Sequence, residues 1–307
     1  MSDRHKYAFN GVHFFENAQW HMERNNFPRI PIGRAGGISG WNVTLWNDNW
    51  NNEAHSNFYI YTYNERSTIK CRFYFNILKN DGSSGFSYES SQDFKLGYCP
   101  TVVMTVEKWL DEENGYLING GINIEYGLQI EGILNRDHIW KFNFYDRLFD
   151  CQEKSNMISF YTNSDEMTFF HCHKQLLTFH STYFDSDSKE NQMIPLTDSN
   201  HFNYFLQKSH GVRGKEYPAR LFKCLTYARE YKLSNVVQLI DQAFQRELPD
   251  YSVTFSCATY HGLNRCLPEM LKKVKTAKNL AREIKSKQES KWTGEFMKKC
   301  VKRFFEF

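Results

Sequence analysis

Between Thr68 and Lys79 the chain alternates strictly, with Ile69, Cys71, Phe73, Phe75 and Ile77 on one side and Lys70, Arg72, Tyr74 and Asn76 on the other. Successive side chains of a strand point to opposite faces. A period of two with one apolar side therefore specifies a half-buried antiparallel strand and excludes a helix. Ile122 to Ile130 repeats the pattern, with Ile122, Ile124, Leu128 and Ile130 inward and Asn123, Glu125, Gln129 and Glu131 outward. Trp41 to Trp46, Asn57 to Tyr63, Gly85 to Glu89 and Thr101 to Val106 are shorter strand candidates, separated by turn residues such as Asn80-Asp81-Gly82-Ser83-Ser84-Gly85. About seven short strands with no good helix between them predict an antiparallel β-sandwich.

After Asn135 the texture changes. Met157 to Tyr161 and Met167 to Cys172 read as a hairpin closed by Thr162-Asn163-Ser164-Asp165, and Gln192 to Leu196 as a further strand. Helix starts follow: Asp198 or Ser199 can cap a helix through Phe202 and Phe205, and Pro218 suits the first turn of one carrying Leu221, Leu225 and Ala228. Ser234 can cap another, carrying Val237, Ile240 and Phe244. From Pro268 on, Leu271, Val274, Leu280 and Ile284 keep helical spacing among lysines, and Phe296, Val301 and Phe304 resume it. The expectation is an α+β multidomain chain: a sandwich over 1–134, a linker and dimerisation segment over 135–154, a mixed α/β domain over 155–247 and a helical basic extension over 248–307.

Composition narrows the function classes. Aromatics make up 17% of the 307 residues, enough to build substantial cores and to exclude wholesale disorder. No run of about 18 apolar residues occurs and the start, MSDRHKYAFNG, lacks a signal-peptide pattern, so an intracellular protein of cytoplasm or nucleus is expected. Eight cysteines without a Cys-x-x-Cys pair fit free thiols in a reducing compartment, and the triplet Asn42-Val43-Thr44 carries no weight as a glycosylation site there. Lys plus Arg against Asp plus Glu runs 14 to 18 up to residue 150, 12 to 13 over 151–270 and 12 to 4 beyond, so the basic excess belongs to the tail. A nucleic-acid binder would carry its charge on a folded face and interleave aromatics with its lysines. Here none intervenes before Trp292, and nucleic acid is not an expected partner.

Catalytic constellations are weak. His171-Cys172-His173, with His180 nearby, could hold zinc or activate a thiolate. On a strand, however, His171 and Cys172 point to opposite faces, and no second cysteine lies at ligand spacing. The cluster is read as a structural strand-to-helix junction. Gly33 to Gly40 is glycine-rich but lacks the order of a phosphate-binding loop and a following helix, so it reads as a sandwich loop. Asp111-Glu112-Glu113 before Asn114-Gly115 reads as a solvated turn. No catalytic residue, cofactor or metal is expected, and the chain is read as a binding protein.

The most specific signal is Phe169 to Phe184, FFHCHKQLLTFHSTYF, where a strand ends, His173-Lys174 begins a helix, and Leu176, Leu177, His180, Ser181 and Phe184 follow. This resembles the signature of the BTB (POZ) domain. Met157 to Phe160 matches its first strand, Met193 to Leu196 the strand before its next helix, and Phe222 to Glu247 its closing helices, so the resemblance covers residues 145–247. Asn156 stands where an Asp is common, and Leu206 to Gly211 (LQKSHG) replaces the usual Ile-Tyr-Thr-Gly. The first half is similar to the MATH domain, a TRAF-like sandwich that often precedes a BTB domain. Phe9-Asn10-Gly11-Val12 with Trp20 resembles its opening, Gly40 to Val43 its second strand, Arg72 to Leu78 its central strand and Leu110 to Gly115 its long loop.

The resemblance implies a homodimerising adaptor that brings a client protein to the cullin scaffold of a ubiquitin ligase. The alternative is a BTB scaffold for another assembly, such as a transcriptional or channel complex. Phe58 or Tyr59, Phe73 and Phe94 fall near positions that line a client-peptide groove, although Pro100 and Val102 replace aromatics usual there. Phe73 also lies on an apolar strand face, which gives it a core reading. Ile139, Trp140, Phe142, Phe144, Leu148 and Phe149 are expected to add apolar surface for a dimer. In cullin-binding members the loop after Ser-x-x-Phe carries a hydrophobic-x-Glu element. Here Asp185 to Asn191 (DSDSKEN) has no apolar residue, which implies weakened docking, with Tyr251 to Leu271 as a possible extension of that contact.

Overall fold

A computed structural model describes residues 7–50, 53–63, 67–94, 98–147, 157–162, 167–184, 193–196, 201–214, 217–246, 253–285 and 294–307. The fold is mixed, with antiparallel sheets and helices, as the α+β expectation requires. It forms two compact units, one of residues 1–172 and 191–196, the other of 173–190 and 197–307.

The first unit holds two antiparallel sheets that share one core. In one, β1 (Phe9–Phe15), β9 (Gly121–Leu134), β5 (Thr68–Leu78) and β6 (Ser84–Phe94) lie side by side, with β8 (Leu117–Ile118) and β10 (Trp140–Phe142) also paired to β9. In the other the order is β2 (Ile30–Ala35), β3 (Ile38–Trp50), β4 (Glu53–Thr62), β7 (Tyr98–Thr105). Alternation aims one row of each strand inward: Ile69, Cys71, Phe73, Phe75 and Ile77 from β5 meet Trp41, Val43, Leu45, Phe58 and Ile60 from β3 and β4. The Phe58 and Phe75 rings are 5.3 Å apart across the layers. Burying each such side chain contributes about 1.5–3 kcal/mol, so this contact plane dominates the unit's stability.

Two short helices interrupt what the sequence presents as strands alone. α1 (Ala18–Arg24) is flanked by Asn17 and Asn25, both left-handed at φ 48° and 47°, and buries Ala18 and Met22. α2 (Val106–Leu110) begins where the predicted strand was to continue, because the Thr105 hydroxyl accepts the Lys108 N–H and stops β7. Helices of one or two turns are too short to display a 3.6-residue period, hence the discrepancy. The acidic run forms an exposed 3-10 turn capped by Asp111, as a solvated turn should. Gly36 and Gly37 close the β2–β3 hairpin at φ 63° and 75°, and a Cβ on either would strike Ile130 or the Tyr145 ring.

The chain leaving β10 is tied down. Asn143 Nδ2 donates to the Ile130 carbonyl and to the Asp146 carboxylate, both at 2.9 Å, and the Gly36 N–H donates to that carboxylate at 2.7 Å. Tyr145 lies 5.3 Å from Phe170, and the His171 N–H donates to the Phe144 carbonyl at 2.7 Å. Phe144 is thus 2% exposed and supplies no dimer surface, whereas Trp140 and Phe142 are 39% and 47% exposed. Leu148 and Phe149 lie outside the described residues. Three strands complete the unit: β12 (Phe169–His173) pairs β11 (Met157–Thr162), and β13 (Met193–Leu196) runs parallel to β11 from Ser159↔Met193 to Thr162↔Leu196. The hairpin turn proposed at 163–165 lies outside the described residues.

The second unit is helical: α3 (Lys174–His180), α4 (Phe202–Ser209), α5 (Pro218–Glu230), α6 (Ser234–Arg246), α7 (Phe255–His261), α8 (Cys266–Lys273), α9 (Ala277–Lys285) and α10 (Gly294–Phe304). Pro218 occupies the first turn of α5 as expected, with Leu221, Leu225 and Ala228 buried. The residue before α4 is His201 at φ 68°, with no side-chain cap, and Asp198 and Ser199 lie outside the described residues. Of the residues expected to pack, Leu271 and Leu280 are buried and Val274 and Ile284 only half-buried, Val274 lying past the end of α8, because the basic segment is broken into α8, α9 and α10; Val301 and Phe304, which resume the spacing, are 50% and 53% exposed. α10 docks instead through Phe296 and Cys300, and Arg303 donates to the Lys272 and Val274 carbonyls at the end of α8. The buried Asp241 carboxylate accepts the Arg265 and Cys266 N–H groups at 2.8 and 3.0 Å, a charge-assisted cap on α8.

Phe75→Ala is expected to destabilise the first unit by about 3–5 kcal/mol, the range for a fully buried aromatic, as measured by chemical denaturation. Asp241→Ala should cost about 1–3 kcal/mol and reduce amide protection at Arg265 and Cys266, read by hydrogen exchange.

Candidate functional site

The second sheet of the first unit presents a patterned face away from the core. Along β4, Phe58 and Ile60 turn inward, so Asn57, Tyr59, Tyr61 and Tyr63 turn outward. Along β3, Asn42, Thr44, Trp46 and Asp48 do the same, and the antiparallel register sets Trp46 opposite Asn57, Thr44 opposite Tyr59 and Asn42 opposite Tyr61. Trp46 and Tyr63 are 47% and 57% exposed, and Tyr61 is buried with its ring 5.2 Å from that of Tyr63. Burial pushes the Tyr61 hydroxyl above its ordinary range, with Arg29 opposing.

Asp48 organises this face. Its Oδ1 accepts the Trp46 indole N–H at 3.1 Å, and its Oδ2 accepts from Asn57 Nδ2 at 3.2 Å and the Tyr59 hydroxyl at 3.3 Å. Three neutral donors fix an exposed carboxylate beside an exposed indole. Thr44, His55, Asn57 and Tyr61 are buried on this side, so its open part is Trp46, Asp48 and Tyr63 beside a half-buried Tyr59, groups able to stack and to accept hydrogen bonds; among the described residues no acid, base and nucleophile converge on it.

Of the groove residues inferred from the MATH resemblance, only Tyr59 reaches this face. Phe58, Phe73 and Phe94 are at most 3% exposed and pack in the shared core, with Phe73 6.0 Å from Phe94 and 5.9 Å from Tyr88. A ring enclosed on both sides offers nothing to a peptide, so the core reading of Phe73 extends to all three. Trp46, Asp48, Asn57, Tyr61 and Tyr63 were missed, although the odd positions of Asn57 to Tyr63 already marked a polar-aromatic row opposite Phe58 and Ile60.

The second signature sits at the strand-to-helix junction. His173 is the last residue of β12 and flanks α3, which Lys174 begins and His180 ends. The leucine pair is divided: Leu177 is 1% exposed, Leu176 46%, and Phe179 on the same outward side 82%. The Ser181 hydroxyl donates to the Tyr231 carbonyl, and Phe184 is buried with its ring 5.6 Å from Tyr231. These residues act as packing and turn-closing groups.

His171 and Cys172 do point to opposite faces of β12. Cys172 is buried, and burial raises its thiol pKa well above the ordinary value, which makes it a poor nucleophile. His171 shares a 2.9 Å hydrogen bond with the Ser159 hydroxyl. Burial, helped by Arg147, lowers its pKa to about 4. Among the described residues no group of three or more His, Cys, Asp or Glu could hold a metal ion, and no helix is long and apolar enough to cross a membrane. No protein-family model matches this chain, and comparison with curated proteins finds no match either.

The depressed His171 pKa has a defined consequence. Its neutral form is favoured in the folded state, so the unfolded chain takes up the proton first as pH falls. Stability should therefore decline from about pH 6.5 down to about pH 4, and His171→Gln should flatten that part of the stability profile in urea titrations at stepped pH.

Proposed function

We propose that this chain is a homodimerising, substrate-recruiting adaptor of a cullin-RING ubiquitin ligase, in which a MATH-like sandwich holds the client and a BTB-like region pairs two copies and meets the cullin. The reading is of a binding protein without catalytic residues or cofactor, acting inside the cell. The observation that carries it is the chain order of elements around the signature: paired strands β11 and β12, a helix starting at His173-Lys174, a third strand parallel to the first, then α4, α5 and α6, following a two-layered sandwich in sequence. Each of these is what the BTB and MATH resemblances imply.

The outward side of α3 supports the pairing. Leu176 and Phe179, three residues apart on one face, are large apolar groups left in water, and burial in a two-fold contact would recover their transfer free energy. The aromatic face of β3 and β4 is the client surface. Two such surfaces in one dimer raise the effective concentration for a second engagement.

A specific sequence observation favours a second reading, a BTB scaffold outside ubiquitination. Asp185 to Asn191 offers no apolar anchor for a cullin pocket, and losing one buried anchor commonly costs about 2 kcal/mol or more.

Light scattering of the full chain at micromolar concentration should give a dimer, and Phe179→Glu a folded monomer; a monomeric parent would remove the adaptor model. Titration against a cullin N-terminal domain should give binding at least about 30-fold weaker than for an adaptor with an apolar anchor. Nanomolar binding would refute the weakened contact, and none at tens of micromolar would favour the scaffold.

A further inference from the structure

We infer that the β3–β4 face selects clients carrying a basic residue, a lysine or more favourably an arginine, seated on Asp48 and Trp46. The inference rests on the reading of that face as the client surface and adds the chemistry of what it takes. Asp48 is exposed, and its carboxylate is held by three neutral donors from Trp46, Asn57 and Tyr59. Among the described residues it forms no ion pair. Its negative charge is oriented yet uncompensated.

The neighbours suit a cation. The Trp46 indole is 47% exposed with its N–H turned to Asp48, so its ring borders the open side of the carboxylate. A guanidinium can lie against that ring and donate to the carboxylate at once, combining cation–π attraction with charge-assisted hydrogen bonds. An ammonium can do only one of these well.

Polarity along the face sets direction. Arg29 precedes Ile30, which pairs with Val43, so it lies beside Thr44, four residues or about 13 Å along β3 from Asp48. The face is thus negative toward the β3–β4 turn and positive toward Arg29. A client segment with its basic residue at the Asp48 end is matched, and one presenting the cation over Arg29 is repelled.

The test is a positional-scanning library of blocked decapeptides panned against the full chain, with selected peptides titrated by fluorescence anisotropy. Expected is enrichment of Arg above Lys at one position, an affinity that falls with added NaCl, and a loss of about fivefold or more for Asp48→Asn, whose unfolding midpoint should match the parent's. The salt dependence in the parent keeps the test decisive if the variant fails to fold. Peptides retained without basic preference, or a preference unchanged in Asp48→Asn and insensitive to salt, would overturn the inference while leaving the client surface standing. No retained peptide at all would overturn the client-surface reading itself, and the inference with it.

Discussion

The contact plane between the two sheets of the first unit is the constraint on which the candidate site depends. Phe58 and Phe75 meet across it, and each inward ring dictates by alternation that its chain neighbours point outward. Placing Phe58 and Ile60 in the core puts Asn57, Tyr59 and Tyr61 on the opposite face; slipping β4 by one residue would bury the donors of Asp48 and expose the core. The candidate face is therefore held in register by the same burial that folds the unit, and a mutation in the core need not touch Asp48 to disorder its donors.

Much of this order is legible in the sequence where alternation is long. β5 and β9 follow from the rows beginning at Ile69 and Ile122, and the inward rows proved buried, but Tyr74, Asn76, Glu125 and Gln129, expected outward, are buried as well, with Asn76 Nδ2 donating to the Glu125 carboxylate at 2.8 Å. Legibility fades where elements are short or depend on distant partners. α1 is bounded by two left-handed asparagines and carries too little pattern of its own. β10 exists because Trp140 to Phe142 finds the free edge of β9, a pairing set by tertiary position. The C-terminal segment misleads for a different reason: four residues on from Phe296 the buried partner is Cys300, so Val301, five residues on, turns off that face and meets water.

The site was half legible for the same reason. Tyr59 lay among the inferred groove positions, but Phe58, Phe73 and Phe94 were drawn from the aligned pattern without deciding which face each occupies. Asp48 carries no motif at all. Its role arises only when antiparallel pairing brings Trp46 and Asn57 level with one another, with Tyr59 one step along the same outward row. Likewise the leucine pair reads as a unit in the sequence, whereas helical geometry separates it into one buried and one exposed residue.

The bonds from Asn143, Tyr145 and Asp146 change what the chain after β10 is. Gly36 and Ile130 hold the side chains of Asp146 and Asn143, and the His171 N–H of β12 donates to the Phe144 carbonyl, so residues 143–146 are fixed against the sheets they touch. A stretch that the sequence presents as linker is thereby built into the fold: it draws its order from β9 and β12 and does not fray as a free connector would.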